Sequence, residues 1–404
     1  MSSPVNLFII SNTLETIPNE VINLLILIVC SLFYVGIIFF RNLQKNFDYS
    51  YEFLTKKSPT RLPFFDFAKG AATLAVILIH TSFLMGSVAE KLPSYFVGWN
   101  ELINKFFRFA IPVFLISSGA LLTVSSLDKK SLKIFYQSKL QRIIIPYLFF
   151  SSYRFFSLPR YGNFFQNLTF CFKDILRGEV LPPFWFIPVL VQLYLLFPFL
   201  WYILSTKKIR PGLLLLFAFT FSLGCYALSI FWNGWYSFFG SWFFGEFFFF
   251  FVLGIVLKPL LFLENREWLR RIRFPPWTFF ILVLYFSVSL IGPQERYYNA
   301  QFVYGPTIFL TLFYYYTQLS RFSFSKFIRK IGQNSLYFYL IHFFILIFLF
   351  AIIHLFNLFF INPLILFASL ALCGFLITWP LSLWVKGAYD LLLGSKSSQS
   401  LSPI

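Results

Sequence analysis

Long apolar runs are the feature that most constrains how this chain can fold. Stretches of eighteen or more largely apolar residues recur from Val21 almost to the C-terminus. Each is long enough to cross a hydrocarbon core about 30 Å thick as a helix. Only 12% of the 404 residues are charged, which is about half the share found in soluble domains. Because the runs lack the alternating pattern of a membrane β-barrel, the sequence predicts an all-α, polytopic integral membrane helix bundle of about 10–11 transmembrane helices in a lipid bilayer.

Polar breaks between the apolar runs divide the chain into eleven predicted spans. The first 62 residues are interpreted as an N-terminal extension with an additional transmembrane helix and a cytoplasmic linker. Residues 63–390 form one membrane domain, and residues 391–404 form a short cytoplasmic tail. The predicted spans are 21–40, 64–87, 106–124, 143–158, 184–204, 212–231, 242–262, 277–293, 302–319, 333–354 and 361–385.

Basic residues predict the orientation of these spans. With an external N-terminus and a cytoplasmic C-terminus, the cytoplasmic loops carry 24 Lys and Arg and the external segments carry 8. This bias follows the positive-inside rule, so the net charge of +18 is an orientation signal and no nucleic-acid partner is expected. The basic loops also have a second interpretation, as binding sites for a phosphorylated cytoplasmic ligand or for anionic lipid.

One face of the second span carries three ionisable residues in an otherwise apolar helix. Asp66 and Lys69 are three residues apart, and His80 follows Lys69 by eleven residues, which is three helical turns to within about 20°. At about 1.5 Å per residue, His80 lies about 16 Å deeper in the membrane than Lys69. A neutral imidazole can be buried and still act as a general base. The alternative is that His80 only hydrogen-bonds a neighbouring helix and that Asp66 and Lys69 form an interfacial pair.

Polar residues in two later spans are further candidates. Ser335, Tyr339 and His342 are spaced four and three residues apart in the tenth span, at a depth similar to that of His80. Glu246 lies near the external end of the seventh span, whereas His354 is expected at the membrane interface. For each, hydrogen bonding between helices is the alternative to a role in chemistry.

Motifs of several enzyme classes are missing from the sequence. It has no GxxxxGK[ST] phosphate loop, no GxSxG and no HExxH, which argues against ATP-driven transport and motif-based metal catalysis. The four cysteines are scattered, so neither a metal site nor a disulfide framework is expected.

Six segments, in order from about residue 63 to 385, resemble the acyltransferase 3 family of membrane acyl-CoA-dependent O-acyltransferases. FFDFAKGAATLAVILIH resembles that family's opening helix, with its Asp, its basic residue, its Gly and its His in matching places. The other matching segments are FFRFAIPVFLISSGALL, LQRIIIPYLFFS, PPFWFIPVLVQLYLLFPFL, FFFFFVLGIVL and IGQNSLYFYLIH.

The resemblance implies about ten packed helices in the plasma membrane and transfer of an acyl group from acetyl-CoA, or a related acyl-CoA, to a hydroxyl of a cell-surface glycan or glycolipid. It implies that His80 is the catalytic base, with Lys69 in the family's basic position and Asp66 holding Lys69. No permanently bound cofactor is implied, and the oligomeric state is left open. Lys69 departs from the commoner Arg, and no fused external domain accompanies the helices. Candidate substrate contacts are Arg108, Lys139, Arg142, Trp185, Glu246, Ser335, Tyr339 and His342.

Two other functions fit the residues alone. A polytopic transporter or flippase for a glycan or lipid-linked substrate would use the same buried groups to relay protons or bind substrate. A non-catalytic membrane scaffold would tolerate substitution of His80 and Lys69. Within the enzyme hypothesis, the sequence leaves open which group orients His80, with Glu246 and the stripe of the tenth span as candidates.

Overall fold

A computed structural model describes residues 62–124, 126–157, 164–206, 208–231, 240–262 and 297–392. Every described residue belongs to one compact unit, which lies within Tyr49–Ile404. The described residues contain helices and no strand, which confirms the predicted all-α class. The predicted spans 21–40 and 277–293 lie outside the described residues.

Fourteen helices are named here in chain order within the described ranges. Four shorter helical turns also occur, at Ala89–Lys91, Leu140–Ile144, Phe244–Phe247 and Leu358–Phe360. The helices are α1 (Pro63–Gly86), α2 (Ser94–Phe107), α3 (Ala110–Leu121), α4 (Lys129–Lys139), α5 (Ile145–Ser151), α6 (Tyr153–Ser157), α7 (Phe164–Arg177), α8 (Phe186–Ser205), α9 (Pro211–Phe231), α10 (Phe248–Leu261), α11 (Tyr297–Leu319), α12 (Ser323–Gln333), α13 (Ser335–Leu355) and α14 (Pro363–Leu392).

Within the described ranges, six helical segments are long and apolar enough to cross a membrane, which confirms a multi-pass membrane protein. In the second of them, the helix begins at Ser94 rather than at the predicted residue 106. Asn100 and Lys105 lower the hydropathy of residues 94–105, yet both side chains are buried against the bundle. A polar residue that faces protein therefore made a helix resemble an external loop. The six segments are Pro63–Gly86, Ser94–Leu121, Phe186–Ser205, Phe244–Leu261, Ser335–Leu355 and Pro363–Leu392.

The predicted cytoplasmic loop 129–142 is also helical. Asp128 caps the start of α4 by accepting a hydrogen bond from the Ser131 backbone N–H at 3.1 Å. Helix α4 then runs beside α8, where the rings of Phe135 and Phe197 stack with centroids 5.8 Å apart. The four lysines of α4 made this segment resemble a loop. Helix α4 instead extends the predicted span 143–158 by three turns on its N-terminal side.

A π-helical turn, Leu140–Ile144, joins α4 to α5. It lies directly before Pro146, which has no backbone N–H to donate to the carbonyl four residues earlier. Single π-turns within helices are rare and occur often at functional sites. Here the turn carries Arg142, one of the predicted substrate contacts.

Helix α1 lies at the centre of the bundle and packs against α2, α3, α12, α13 and α14. At the crossing of α1 and α12, Gly70 lies against the Ile328 carbonyl and Gly332 lies against the Asp66 carbonyl, leaving no room for a Cβ at either glycine. Helices in membranes associate through such close van der Waals contact because lipid offers no hydrophobic driving force between them. The crossing fixes the Asp66 end of α1.

A second glycine crossing joins α3 to α10. Gly119 lies against the Phe251 carbonyl, and Gly254 lies against the Ile116 carbonyl. Both glycines occur in the segments that resemble the acyltransferase 3 family. The close approach brings together two helices that are more than 120 residues apart in sequence.

Candidate active site

Two histidines from different helices meet at the centre of the bundle. The imidazole rings of His80 on α1 and His342 on α13 have centroids 5.2 Å apart and planes inclined by 43°. Phe343 packs edge-on against the His80 ring, also at 5.2 Å. His342 is fully buried. His342 of the tenth-span stripe therefore lies beside His80.

Hydrogen bonding defines how His342 is protonated. Its Nδ1 lies 2.6 Å from the Tyr339 backbone oxygen. A carbonyl oxygen only accepts, so we assign the hydrogen of the neutral ring to Nδ1, and Nε2 is left as an acceptor. Among the described residues, neither His342 Nε2 nor His80 Nδ1 has a hydrogen-bond partner, and both atoms are buried. The site thus holds two unpaired ring nitrogens on neighbouring histidines.

Tyr339 connects the histidines to the segment that precedes α8. Its hydroxyl donates to the Pro183 carbonyl oxygen, and its ring centroid lies 5.7 Å from that of His342. Trp185, two residues after Pro183, packs against Phe247 at 5.1 Å. Tyr339 therefore fixes the Pro183–Trp185 segment beside the histidine pair.

Helix α2 holds the turn of α1 that carries His80. Asn100 donates to the Ser82 carbonyl oxygen at 2.9 Å, and Ser82 returns a hydrogen bond to the Asn100 carbonyl at the same distance. Asn104 donates to the Ile79 carbonyl oxygen at 3.4 Å and accepts from Arg108 Nε at 3.0 Å. The sequence analysis missed both asparagines. Asn100, Asn104 and Arg108 follow one another at intervals of four residues. That spacing would have indicated one helical face if residues 94–107 had been predicted as helix.

The Pro63 end of α1 carries the acid and the cations. Asp66 is buried and accepts a hydrogen bond from Gln333 Nε2 on α12 at 3.2 Å. Lys139 lies close enough to Arg142 and Lys69 for their positive charges to affect it. Its amine is packed between the rings of Phe135 and Tyr194, 5.1 Å from each centroid. Three cations from α1, α4 and the π-turn thus meet at this end of the bundle.

Two predicted residues lie elsewhere in the bundle. Glu246 is in the short turn before α10, where its charge acts on Cys225 of α9. Ser335 is half-buried at the start of α13, seven residues from His342. The interaction of Glu246 with Cys225 and the contact of His342 with His80 favour the tenth-span stripe over Glu246 as the neighbour of His80.

His354 and Arg154 have contacts near helix ends. The exposed ring of His354 packs against Phe350 and Phe359. Arg154 of α6 forms an ion pair with Asp174 of α7 at 2.7 Å. In the described ranges, no three His, Cys, Asp or Glu side chains form a group that could hold a metal.

This arrangement has the components of a transfer site. A cluster of cations suits an anionic group at one end of α1, and a half-buried imidazole about 16 Å further along the helix suits proton transfer. A general base is normally oriented by a third group, and His342 is placed beside His80.

Comparison with known proteins identifies the family. The family model described as an acyltransferase domain, acyltransferase 3, matches residues 62–383. No match was found among curated proteins or among solved structures. The match covers all six segments that resemble the family and includes both histidines of the pair. The chain therefore belongs to the acyltransferase 3 family and is a membrane acyltransferase.

Proposed function

We propose that this protein transfers an acyl group, acetyl in the simplest case, from cytoplasmic acyl-CoA to a hydroxyl of a cell-surface glycan or glycolipid. The observation that carries the proposal is the arrangement along α1, where a cation cluster at one end precedes a histidine pair made of the half-buried His80 and the fully buried His342. Neither feature alone requires an acyl-CoA. Together they match a donor that has phosphates at one end and a reactive thioester at the other.

The cations would bind the donor. Lys69, Lys139 and Arg142 come from three different elements, and the positive-inside rule assigns their end of the bundle to the cytoplasm. Burial of Lys139 between two aromatic rings places its charge where water screens it weakly. Phosphate oxygens at this end would offset the mutual repulsion of the three cations. The thioester would then extend along α1 toward His80.

His80 would act as the general base. Its free nitrogen removes the proton from the acceptor hydroxyl while the hydroxyl oxygen forms a bond to the thioester carbonyl carbon. The carbon–sulfur bond then breaks, and the CoA thiolate takes the proton from His80. The products are an ester and CoA thiol, so the step balances without an added oxidant or reductant.

His342 would position His80. Since His342 Nδ1–H is directed to the Tyr339 carbonyl, its Nε2 can only accept a hydrogen bond. The group available to donate is His80 Nδ1–H. That hydrogen bond would hold His80 in the tautomer whose Nε2 is the base. Catalytic hydrogen bonds that are long in a substrate-free enzyme often shorten when substrate binds, which suits rings 5.2 Å apart.

A substitution of His80 tests the proposal against a matched control. We expect His80→Gln to reduce release of CoA thiol from acetyl-CoA by about 10²- to 10⁴-fold, with protein level and insertion unchanged. His354→Gln changes the exposed histidine at the end of α13 and should leave the rate within twofold. Mass spectrometry of surface glycans from cells that carry each variant identifies the acceptor.

Two outcomes would contradict the proposal. Normal glycan acylation by His80→Gln would refute the role of the base. Movement of a lipid-linked glycan by the wild type without any acyl-CoA consumption would instead support the transporter.

A further inference from the structure

A lateral groove between α4 and α8 shares Lys139 with the proposed donor site, but the rest of its lining has no part in the acyl transfer proposed above. Its volume is about 450 Å³, within the range of small-molecule sites. It opens on the bundle surface, where Leu140 and Leu195 are 45% and 58% exposed. The lining residues are Lys133, Tyr136, Gln137, Lys139, Leu140, Ile143, Ile144, Val191, Tyr194 and Leu195.

The walls of this groove are apolar, and the surface around its opening is suited to lipid. Ile145, Leu148 and Phe199 flank it and are 40%, 46% and 61% exposed. Large exposed side chains of this kind on membrane helices face hydrocarbon. An occupant with a flexible apolar chain therefore fits the groove better than a polar ligand.

The rim of the groove is basic. Lys129, Lys130 and Lys133 lie on exposed positions of α4, at the end that the positive-inside rule assigns to the cytoplasm. Asp128, beside them, caps the start of α4, and hydrogen bonds from Ser126 and Ser131 hold its pKa below the usual value. Three lysines against this one aspartate leave the charge of the rim positive, which favours binding of a lipid phosphate.

The spacing of the basic and apolar parts matches a phospholipid. Lys133 precedes Leu140 by seven residues, about 10 Å along a helix, and the apolar wall continues to Ile144. A hydrogen bond from the Tyr136 hydroxyl to the Leu195 carbonyl at 3.3 Å joins α4 to α8 at the level of the groove. A cation at the interface followed by an apolar channel is the order of phosphate and acyl chain in a lipid of the inner leaflet.

We propose that this groove binds one anionic phospholipid of the cytoplasmic leaflet, with its phosphate at Lys133 and one acyl chain between α4 and α8. The bound lipid braces α4 against α8. Because α4 and the π-turn carry Lys139 and Arg142, the lipid also stabilises the cation cluster. The binding itself does not depend on the proposed acyl transfer.

Binding is measured on the full chain with lipids of defined composition. Purified protein is reconstituted into vesicles of phosphatidylcholine alone or with 30% phosphatidylglycerol as the anionic probe, then examined by native mass spectrometry. Wild type should retain one phosphatidylglycerol above the level of the surrounding lipid. Lys133→Gln should weaken retention by about fivefold, the effect of one basic residue near a charged membrane surface. Leu195→Trp fills the groove and should abolish retention.

Matched controls keep the result specific. Lys208→Gln removes another predicted cytoplasmic cation, one that packs on Tyr202 rather than on the groove. Leu213→Trp enlarges an exposed residue of α9 that does not line the groove. Both controls should retain the lipid as wild type does, and thermal unfolding shows that each variant is folded.

Three results would overturn the proposal. Equal retention by the wild type, Lys133→Gln and Leu195→Trp would mean surrounding lipid only. Displacement of the lipid by soluble glycerol phosphate would mean a phosphate site without a chain. Loss of long-chain acyl-CoA binding in Leu195→Trp, with acetyl-CoA binding intact, would assign the groove to the donor's chain.

Discussion

Replacement of His342 by Leu isolates the proposed orientation of His80. Leu fills much of the ring's volume in a fully buried site and removes both nitrogens. The Tyr339 carbonyl loses its contact with Nδ1 but still accepts the backbone N–H four residues later in α13. The group deprived of its proposed acceptor is His80 Nδ1.

The size of the effect follows from that unpaired group. A buried donor without a partner costs about 1–3 kcal/mol. Since 1.36 kcal/mol corresponds to a factor of ten in rate, we expect kcat to fall by about 5- to 150-fold. KM for acetyl-CoA should change by less than twofold, because the donor phosphates would bind about 16 Å away along α1.

The assay is release of CoA thiol by purified protein in vesicles, with acceptor present. His342→Gln provides an acceptor near the position of Nε2 and should recover part of the lost rate, whereas a purely structural role predicts no such rescue. The double variant His80→Gln/His342→Leu should be no slower than His80→Gln alone, because residues that act as one unit are not additive. A folded His342→Leu protein with wild-type kcat would refute the reasoning.

Three further predictions concern the donor site and the packing around α1. Lys139→Gln should raise KM for acetyl-CoA by about tenfold, the loss expected for one charged hydrogen bond, while Lys208→Gln leaves steady-state kinetics unchanged. Gly332→Val should destabilise the protein in thermal unfolding by about 1–3 kcal/mol or more, because a side chain there meets the Asp66 carbonyl. Gly387→Val has open space and should leave stability unchanged or slightly raised, because valine has a higher helix propensity than glycine. Asn100→Leu should reduce stability by about 0.6–1.7 kcal/mol, the range for hydrogen bonds between membrane helices, and an unchanged midpoint of unfolding would show that its pair with Ser82 is not stabilising.

The sequence failed where polar residues turn toward protein. Asn100 and Lys105 lowered the hydropathy of α2, although both side chains are buried against other helices. Hydropathy measures transfer to lipid, whereas these two side chains are solvated by protein. Helix α4 resembled a loop for a different reason, because Lys129, Lys130 and Lys133 are exposed and only Lys139 is buried. A segment that is polar on one face can therefore be helical and membrane-embedded without an apolar run of the usual length.

The sequence by itself determined the class of structure, the family and the stripe on α1. The length of each apolar run indicates whether that segment can cross a membrane as a helix. Helical periodicity places Lys69 and His80 on one face regardless of what surrounds them. Only the tertiary structure decided that His342, 262 residues later, lies against His80. That contact depends on how α1 and α13 pack, and the glycine crossing of α1 with α12, the helix directly before α13, fixes where α13 begins relative to α1. No local pattern encodes such packing between helices far apart in sequence.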